Sequence, residues 1–370
     1  MSLHLAPIAK KLDWLQQVAT QYQQDFTCPK QCQQRQQYLT DHPTAVIALK
    51  CMDGRIHLPH ATRIPSGIIQ PFRNLGGIFD LGWPYLGDLL AEQVQAAWQQ
   101  GRPVLVLISY HFSKGNKQRG CAGFHCDRAA AEQQARQLQQ QFRQIYPNQQ
   151  WLYPLVCGFE TDLDALVLHG AEQQLDLAAI SGKQQGELPQ LLQQLLPDMS
   201  PQMLRDLLPL VQGNLLHIEA MRLSKRQLDS EHREWMLCVG RGFDFLHVSN
   251  TALIIGPFSP DLAQPIRQAA AIIAANMQAG RIADDGFLLL SSVPFHHHGP
   301  DQARAELKSG FLNQFAASVV ADFDPILADK MHRRQAIMHW PERTLQWRHL
   351  NYSSTAVATD QPGFIGDKQN

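Results

Sequence analysis

Two uninterrupted apolar runs constrain the fold of this chain more than any other feature of its sequence. The runs TAVIAL, from residue 44, and VLVLIS, from residue 104, show no alternation of apolar and polar residues. A strand of this kind is covered on both faces, as in a parallel sheet flanked by helices. Between the runs, apolar residues at helical spacing predict a helix over roughly Asp88 to Gln100. The segment is therefore predicted to be a strand, crossover helix and strand unit.

Further elements extend this unit on both sides. Residues 1–40 carry apolar residues at helical spacing and then a Gln-rich stretch, which predicts an N-terminal helical arm. Asp127 is a suitable N-cap for a long helix, and LYPLVCGFETDLDALVLHG, from Leu152, predicts a hairpin. We expect a first α/β domain over residues 41–170.

The second half of the chain repeats features of the first. CMDGRIHLPH, from Cys51, resembles CVGRGFDFLH, from Cys238, and IIQPF, ending at Phe72, resembles IIGPF, ending at Phe258. The Leu- and Gln-rich residues 171–228 are predicted to be a helical linker, residues 229–345 a second domain and residues 346–370 a tail. The sequence thus predicts an α/β fold of two related, mostly parallel-sheet units that form a pseudo-dimer by duplication.

Composition excludes several classes of protein. Lys and Arg total 32 against 33 Asp and Glu, a net charge of −1, so no broad positive field is available for nucleic acid or an anionic membrane. No apolar run approaches membrane-spanning length, and the N-terminus lacks the pattern of a signal peptide. Seven cysteines at irregular positions indicate free thiols rather than a disulfide framework. We expect a cytoplasmic protein.

Chemically active residues follow the ends of the predicted strands. Cys51 ends the first run and is followed by Asp53 and Arg55, and His111 ends the second run and is followed by Cys121. Functional groups gather at the carboxyl ends of strands in open α/β sheets. Two thiolates and one imidazole form a zinc site with three protein ligands, and its open fourth position indicates catalysis. Asp53 is placed to orient a zinc-bound hydroxide, and Arg55 to hold Asp53.

The motifs CMDGR, RIP (63–65), GGIFD (76–80), YHFSKGNKQRGCAGFH (110–125) and GFETDLDALVLH (158–169) resemble those of the carboxysome shell carbonic anhydrases, a divergent branch of the β-carbonic anhydrases. Nine residues separate His111 from Cys121, and this long loop is a feature of the shell branch. The resemblance covers roughly residues 40 to 340, because that branch also carries a second copy that has lost its metal site.

The resemblance implies a zinc-dependent carbonic anhydrase that interconverts CO2 and bicarbonate, with Asp53 and Arg55 as the dyad that orients the hydroxide. It also implies a homo-oligomer, and the near-neutral net charge argues against a nucleic-acid or membrane partner. Members of the branch carry a long N-terminal extension associated with recruitment to the carboxysome. Since only about forty residues precede the first predicted strand, we expect a free cytoplasmic relative rather than a carboxysome component.

Two other functions remain open from the sequence. The same fold and metal would serve a hydrolase of carbonyl sulfide or carbon disulfide, because these molecules would meet the same hydroxide. A non-catalytic assembly protein with structural zinc would need a fourth protein ligand, for which His125 and Cys126 are the local candidates.

The remaining cysteines and histidines are not assigned to the zinc site. The second copy is expected to lack a metal site, since no cysteine follows Cys238 and CVGRG lacks the carboxylate. The roles of Cys28 and Cys32 in the arm stay undetermined, as do those of His296, His297 and His298, while Cys157 is assigned to packing. An apolar wall beside the metal is expected from aromatic residues such as Phe72, Phe79 or Tyr110.

Overall fold

The computed structural model describes residues 3–223, 231–243 and 250–349. The strands are β1 (Ala45–Cys51), β2 (Ile69–Asn74), β3 (Val104–Phe112), β4 (Leu152–Glu160), β5 (Ala165–His169), β6 (Gln174–Asp176), β7 (Met236–Val239), β8 (Ala252–Ile255), β9 (Phe287–Phe295), β10 (Met331–His339) and β11 (Thr344–Arg348). The helices are α1 (Ile8–Thr27), α2 (Pro29–Asp41), α3 (Leu58–Ala61), α4 (Pro84–Gln99), α5 (Arg128–Ile145), α6 (Gly182–Gln185), α7 (Leu188–Leu195), α8 (Pro201–Leu223), α9 (Ala263–Gln278), α10 (Pro300–Phe323) and α11 (Pro325–Asp329). The predicted tail from residue 350 onward lies outside the described residues.

The first sheet has the strand order β2-β1-β3-β4-β5-β6. Strands β2, β1, β3 and β4 are parallel to one another. Strand β5 is antiparallel to β4, with which it forms the predicted hairpin, and β6 is antiparallel to β5. The two apolar runs are β1 and β3, and β3 is buried along its whole length. Asp127 accepts hydrogen bonds from the N–H groups of Ala129 and Ala130 and so caps α5, as its position predicts.

The second sheet has the order β11-β10-β9-β7-β8, with β11 antiparallel to β10 and the remaining neighbours parallel. The order β8-β7-β9 repeats β2-β1-β3, and the α/β fold of two mostly parallel sheets is confirmed. The register differs between the sheets. Ile69 pairs with Val46, five residues before Cys51, whereas Ile255 pairs with Val239, directly after Cys238. The repeated sequence motifs therefore stand at different heights in the two sheets.

Each sheet reverses its strand order at a central strand. From β1 the chain continues to β2 on one side and then to β3 on the other, and β7 is placed in the same way between β8 and β9. Ligands of open α/β sheets bind at such reversals of strand order. The fold thus places one potential site between β1 and β3 and a second between β7 and β9.

The N-terminal arm packs against the second unit. Helix α1 buries Ile8, Leu15 and Ala19 and contacts β9 and β11. The predicted arm is therefore helical and covers one side of the second sheet. Within the described residues, no helix combines the length and hydropathy needed to cross a bilayer.

Candidate metal centre

The structure brings Cys51, His111 and Cys121 together. Cys51 ends β1, His111 is the penultimate residue of β3, and Cys121 follows the loop that leaves β3. One ligand atom from each residue lies within 4.8 Å of the other two. The three residues are 4%, 1% and 2% exposed. Parallel strands that end at the same edge of the sheet explain why residues so distant in sequence meet.

The donor set fits a zinc ion. The sulfurs of Cys51 and Cys121 are 3.9 Å apart and not bonded to each other. Two thiolates on a tetrahedral zinc, each about 2.3 Å from the metal, would lie about 3.8 Å apart. Both ring nitrogens of His111 are buried and have no hydrogen-bond partner among the described residues. An unsatisfied buried polar group is unfavourable, and coordination of a cation by one ring nitrogen would satisfy it. The imidazole of His111 is therefore suited to act as a metal ligand.

The pKa values of the two thiols are shifted in opposite directions. The hydrogen bond with Cys121 lowers the pKa of Cys51 well below its usual range, although burial opposes this, and nearby His111 lowers the pKa further. The same hydrogen bond, together with burial, raises the pKa of Cys121. The opposite directions of the two shifts follow from the closeness of the sulfurs, because a charge on Cys51 opposes a second charge on Cys121.

Asp53 and Arg55 form a buried ion pair beside these residues. Arg55 Nη2 donates to Asp53 Oδ2 at 2.6 Å, and Arg55 Nε donates to both carboxylate oxygens, at 3.0 and 3.2 Å. The backbone N–H of Arg55 donates to Oδ1 at 2.8 Å. Charge-assisted bonds of this kind fix the carboxylate in one orientation. Asp53 Oδ2 then lies 3.7 Å from His111 Nε2, at the edge of the donor set.

Asp53 remains ionised in this setting. Burial alone would raise the pKa of Asp53, but the charges of Arg55, His232 and His111 outweigh it and hold the pKa well below its usual range. Burial would likewise lower the pKa of Arg55, yet Asp53 raises it above its ordinary value. Asp53 is consequently a hydrogen-bond acceptor across the range in which most proteins work.

The second unit adds His232 and Glu234, which sequence reasoning missed. His232 Nε2 lies 3.3 Å from Arg55 Nη2 and 3.9 Å from Asp53 Oδ2. His232 Nδ1 lies 3.0 Å from each carboxylate oxygen of Glu234, which is fully buried. Burial would lower the pKa of His232, but Glu234 raises it, and the net shift is upward. The sequence carried no signal, because 177 positions separate Arg55 from His232.

The loop that carries Asp53 is held against the second sheet. Ile254 N donates to Met52 O at 2.9 Å, and Asn250 N donates to Gly54 O at 3.1 Å. A Cβ at Gly54 would lie 2.5 Å from the carbonyl oxygen of Ala252, so the close approach requires glycine. From the first unit, Arg73 donates to the carbonyl oxygen of Asp53 at 2.9 Å. Both units thus determine the position of the dyad.

A carboxylate pair at the end of β4 holds the loop between His111 and Cys121. Asp162 accepts from Ser113 Oγ at 2.8 Å and from the N–H of Gly115 at 2.7 Å. Glu160 accepts from the N–H of Lys114 at 3.3 Å. Burial raises the pKa of Glu160 to about 7, and neighbouring Asp162 contributes in the same direction. Glu160 therefore keeps a proton in the folded protein at pH values where it would be ionised in the unfolded chain.

Glu160→Gln should reduce the loss of stability that accompanies a rise in pH from about 5 to about 8. The raised pKa of Glu160 gives a stability contribution that is present in full below its unfolded pKa and disappears as the pH rises through about 7. The uncharged amide retains an acceptor without this titration. We expect the melting temperature of the wild type to fall more than that of the variant between about pH 5 and pH 8. Parallel pH profiles in thermal unfolding experiments would contradict this origin of the pH dependence.

The other candidate ligands lie apart from the centre. Among the described residues, neither His125 nor Cys126 joins the Cys51, His111 and Cys121 group, and the Cys126 thiol points to the carbonyl oxygen of Gln118 at 3.3 Å. Cys28 and Cys32 in the arm, and His296, His297 and His298 after β9, join no such group either. Cys157 is part of the hydrophobic core, and burial raises its pKa to about 12. Its assignment to packing is confirmed.

The expected aromatic wall is not formed by the residues suggested. Phe72, Phe79 and Tyr110 belong to a different apolar cluster from the one that contains Cys51 and Cys121. Tyr110 and His111 are adjacent on β3, and adjacent side chains of a strand point to opposite faces. The apolar residues clustered with the two cysteines include Leu75 and Phe159 instead.

Comparison with known protein families agrees with this geometry. Residues 34–188 match the catalytic domain of the carboxysome shell carbonic anhydrases. The resemblance seen in the sequence is confirmed over this segment, which contains Cys51, Asp53, Arg55, His111 and Cys121. The matched segment ends before α8 and the second sheet. A search of curated proteins found no match.

The matched segment, which is less than half of the chain, is similar to a carbonic anhydrase catalytic domain. It comprises the first sheet, most of α2 and the helices up to α6. The Cys51, His111 and Cys121 group, whose ligand atoms are close enough to hold a metal ion, lies within this segment.

Proposed function

We propose that this protein is a zinc-dependent carbonic anhydrase that interconverts CO2 and bicarbonate. The observation that carries the proposal is the buried Asp53 and Arg55 pair beside three convergent metal-type donors, within a segment that matches a carbonic anhydrase catalytic domain. Cys51, His111 and Cys121 would hold the zinc. When bound, the metal would act as a Lewis acid that lowers the pKa of a water molecule.

Asp53 and Arg55 would orient the reacting water next to the donor set. The lowered pKa of Asp53 keeps its carboxylate an acceptor, and with Oδ2 3.7 Å from His111 Nε2 it would accept a hydrogen bond from a water molecule at the donor set and so orient that oxygen. Arg55 holds the carboxylate with three side-chain contacts and keeps it from turning towards the ligands. His232, fixed by Glu234, supports the guanidinium from the other side. The burial of the pair keeps its hydrogen-bond geometry constant.

The donor set supports catalysis over a structural metal. A structural zinc needs four protein ligands, and His125 and Cys126 stand outside the group in the described part of the chain. Two thiolates and one imidazole leave a position for water. The geometry favours neither carbonyl sulfide nor carbon disulfide over CO2, and the match to a carbonic anhydrase catalytic domain is what supports CO2 as the proposed substrate.

CO2 hydration by the zinc-loaded protein is the test of this function. Stopped-flow measurement with a pH indicator should show hydration well above the uncatalysed rate, and the metal-depleted protein should lose it until zinc is restored. A zinc-replete, folded protein without this activity would overturn the proposal. Parallel assays for sulfide release from carbonyl sulfide and carbon disulfide would then test the related hydrolases.

The hydration rate should rise from near neutral towards alkaline pH. Thiolate ligands donate charge to the metal, so a site of this type is expected to acidify water less than a three-histidine site, for which the water pKa is about 7. Asp53 does not produce the rise, because its pKa lies well below neutral. Initial rates from about pH 6 to pH 9 in non-coordinating buffers measure the profile. A rate that is maximal at the acidic end and flat above it would contradict this expectation, provided that the zinc content is unchanged.

The name of the matched family ties its members to the carboxysome shell. For this chain, a free cytoplasmic homo-oligomer remains the prediction, with carboxysome residence as the alternative. Light scattering on the purified protein gives the oligomeric state, and cofractionation with carboxysomes in the native cell distinguishes the two locations.

A further inference from the structure

Helix α10 presents large apolar side chains to solvent. Leu307 is 75% exposed and Phe311 is 64% exposed, and the rings of Phe311 and Phe315 stack with their centres 6.2 Å apart. The buried face of the same helix carries mainly small residues, among them Ser309 and Gly310. A surface helix of a monomeric protein shows the opposite distribution, with polar residues outside and large apolar residues inside. The outer face of α10 therefore has the composition of a surface that a partner covers.

The apolar surface extends from α10 to α11. Phe323, the last residue of α10, and Ile326, in α11, are both exposed. Of the eleven large apolar side chains that are exposed among the described residues, four lie between residues 307 and 326. Single exposed apolar residues are common on protein surfaces, but a concentration of them on adjoining elements marks an interaction site.

Two opposite charges lie at the ends of this face. Arg304 is exposed near the start of α10, and Asp322 is exposed near its end. Asp322 follows Arg304 by 18 positions, which is about five turns, so the two side chains leave the same side of the helix about 27 Å apart. Phe311 lies almost on the same line, because the seven positions from Arg304 are about two turns. The face thus has an apolar centre between charges of opposite sign.

Both charges have groups available for a partner. Arg304 donates to Asp301 through Nη2 at 2.9 Å, and the guanidinium has further N–H groups that this contact does not use. Asp322 forms no ion pair within the described part of the chain. An exposed carboxylate and an exposed guanidinium in these positions can pair with the opposite charges of another molecule.

The face is complementary to a second copy of itself in the antiparallel direction. In a two-fold contact, residue i of one copy meets residue j of the other, and j meets i. With the axis at the level of Asn313, which lies midway between Arg304 and Asp322, each Arg304 faces the partner's Asp322. The same axis places Phe311 against the partner's Phe315, because Asn313 is also midway between these two. A parallel contact would instead place like charges side by side, which is unfavourable.

We propose that two copies of this protein associate through α10, packed antiparallel about a two-fold axis with Phe311 and Phe315 at the centre. Burial of the aromatic and leucine side chains drives the association, and the charges at the two ends determine its direction. Helix α10 lies outside the segment that matches a carbonic anhydrase domain. The inference does not depend on the proposed hydration reaction, and it assigns a face to the homo-oligomer predicted above.

Sedimentation equilibrium of the purified protein over a range of concentrations tests this interface. We expect a dimer of the wild type whose dissociation constant rises at least about tenfold in Phe311→Asp and in Leu307→Asp, because each places a charge in the apolar centre. Leu216→Asp is the matched control, since it replaces an exposed leucine of α8, and it should leave the dissociation constant unchanged. All three side chains are exposed, and thermal unfolding of each variant checks that the fold is kept.

Exchange of the two charges tests the antiparallel direction. Arg304→Asp and Asp322→Arg each bring like charges together at both ends of the contact and should weaken the dimer several-fold. The double variant re-forms both pairs with reversed sign and should restore the dimer. The two positions are about 27 Å apart within one chain, which is well beyond the Debye length at physiological ionic strength, so this rescue arises only between chains.

Three outcomes would each overturn the proposal. The first is a wild type that stays monomeric at every concentration, which would leave another segment of the chain or a different protein as the occupant of the face. The second is an oligomer that Phe311→Asp and Leu307→Asp do not weaken, which would use another surface. The third is a double charge variant that dissociates as readily as the single variants. Hydration rates of the same preparations are measured separately, so a failure of the proposed function is distinguishable from a failure of this interface.

Discussion

Asp53→Asn should lower the rate of CO2 hydration by at least about 100-fold while the protein keeps its zinc. The amide is nearly isosteric with the carboxylate, but it is an uncharged and weaker acceptor, and its NH2 group would face the Arg55 donors that now bind Oδ2. Zinc should remain because Asp53 lies outside the Cys51, His111 and Cys121 group. Stopped-flow hydration rates and metal analysis of the same preparation measure both effects.

Asp284→Asn is the matched control for this variant. Asp284 is an exposed carboxylate that pairs with Lys330, so its replacement changes the charge equally without affecting the centre. Arg55→Ala should also abolish most of the activity, and it should lower stability because it leaves the buried Asp53 without its main partner. Full activity in both the Asp53 and the Arg55 variant would contradict the prediction and show that the ion pair has only a structural role. Loss of zinc from folded Asp53→Asn would instead show that Asp53 holds the ligand loop.

Cys121→Ser should reduce the zinc content from near one per chain to near zero. A serine hydroxyl does not ionise at neutral pH and is a poor zinc ligand, so only Cys51 and His111 would remain. The substitution is small, and Cys121 is 2% exposed, so any change of stability must be measured alongside. Metal analysis after dialysis against a weak chelator, with thermal unfolding of the same samples, measures the effect.

Cys126→Ser is the matched control and also tests the structural-metal alternative. The Cys126 thiol contacts the carbonyl oxygen of Gln118 and lies outside the donor group, so this variant should retain its zinc. Equal loss of zinc from both variants would identify Cys126 as a fourth ligand and favour an assembly protein. Two tightly bound zinc ions per wild-type chain would contradict the assignment of a single centre.

The candidate centre was predictable because its parts are local or end on adjacent strands. Cys51 is the last residue of β1, and Asp53 and Arg55 follow it at intervals of two residues, so their spacing is visible in the sequence. His111 could be placed beside them because buried apolar runs predict parallel strands, whose carboxyl ends meet at one edge. Cys121 could be added because it follows the loop that leaves β3, and the family resemblance supported that choice.

Contacts between the units were not predictable in the same way. His232 and Glu234 reach the dyad because the second sheet packs against the loop of Asp53, and no periodicity in the sequence reports that packing. The aromatic wall was misassigned because the three residues were chosen by type and not by the face they occupy: Tyr110, adjacent to His111 on β3, faces the other side of the sheet and clusters with Phe72 and Phe79. The offset register of β7 likewise depends on how its four residues pair with β8 and β9.

The sequence by itself determined the α/β class, the likeness of the two units and the group of donors at the ends of β1 and β3, since these follow from local hydrophobic patterns, repeated motifs and strand direction. Only the tertiary structure decided the strand order of each sheet and the surroundings of the dyad. Both depend on pairings across the chain, such as that of His232 with Arg55. Packing between segments distant in the chain sets such contacts, and hydrophobic periodicity specifies only which face of each element is buried.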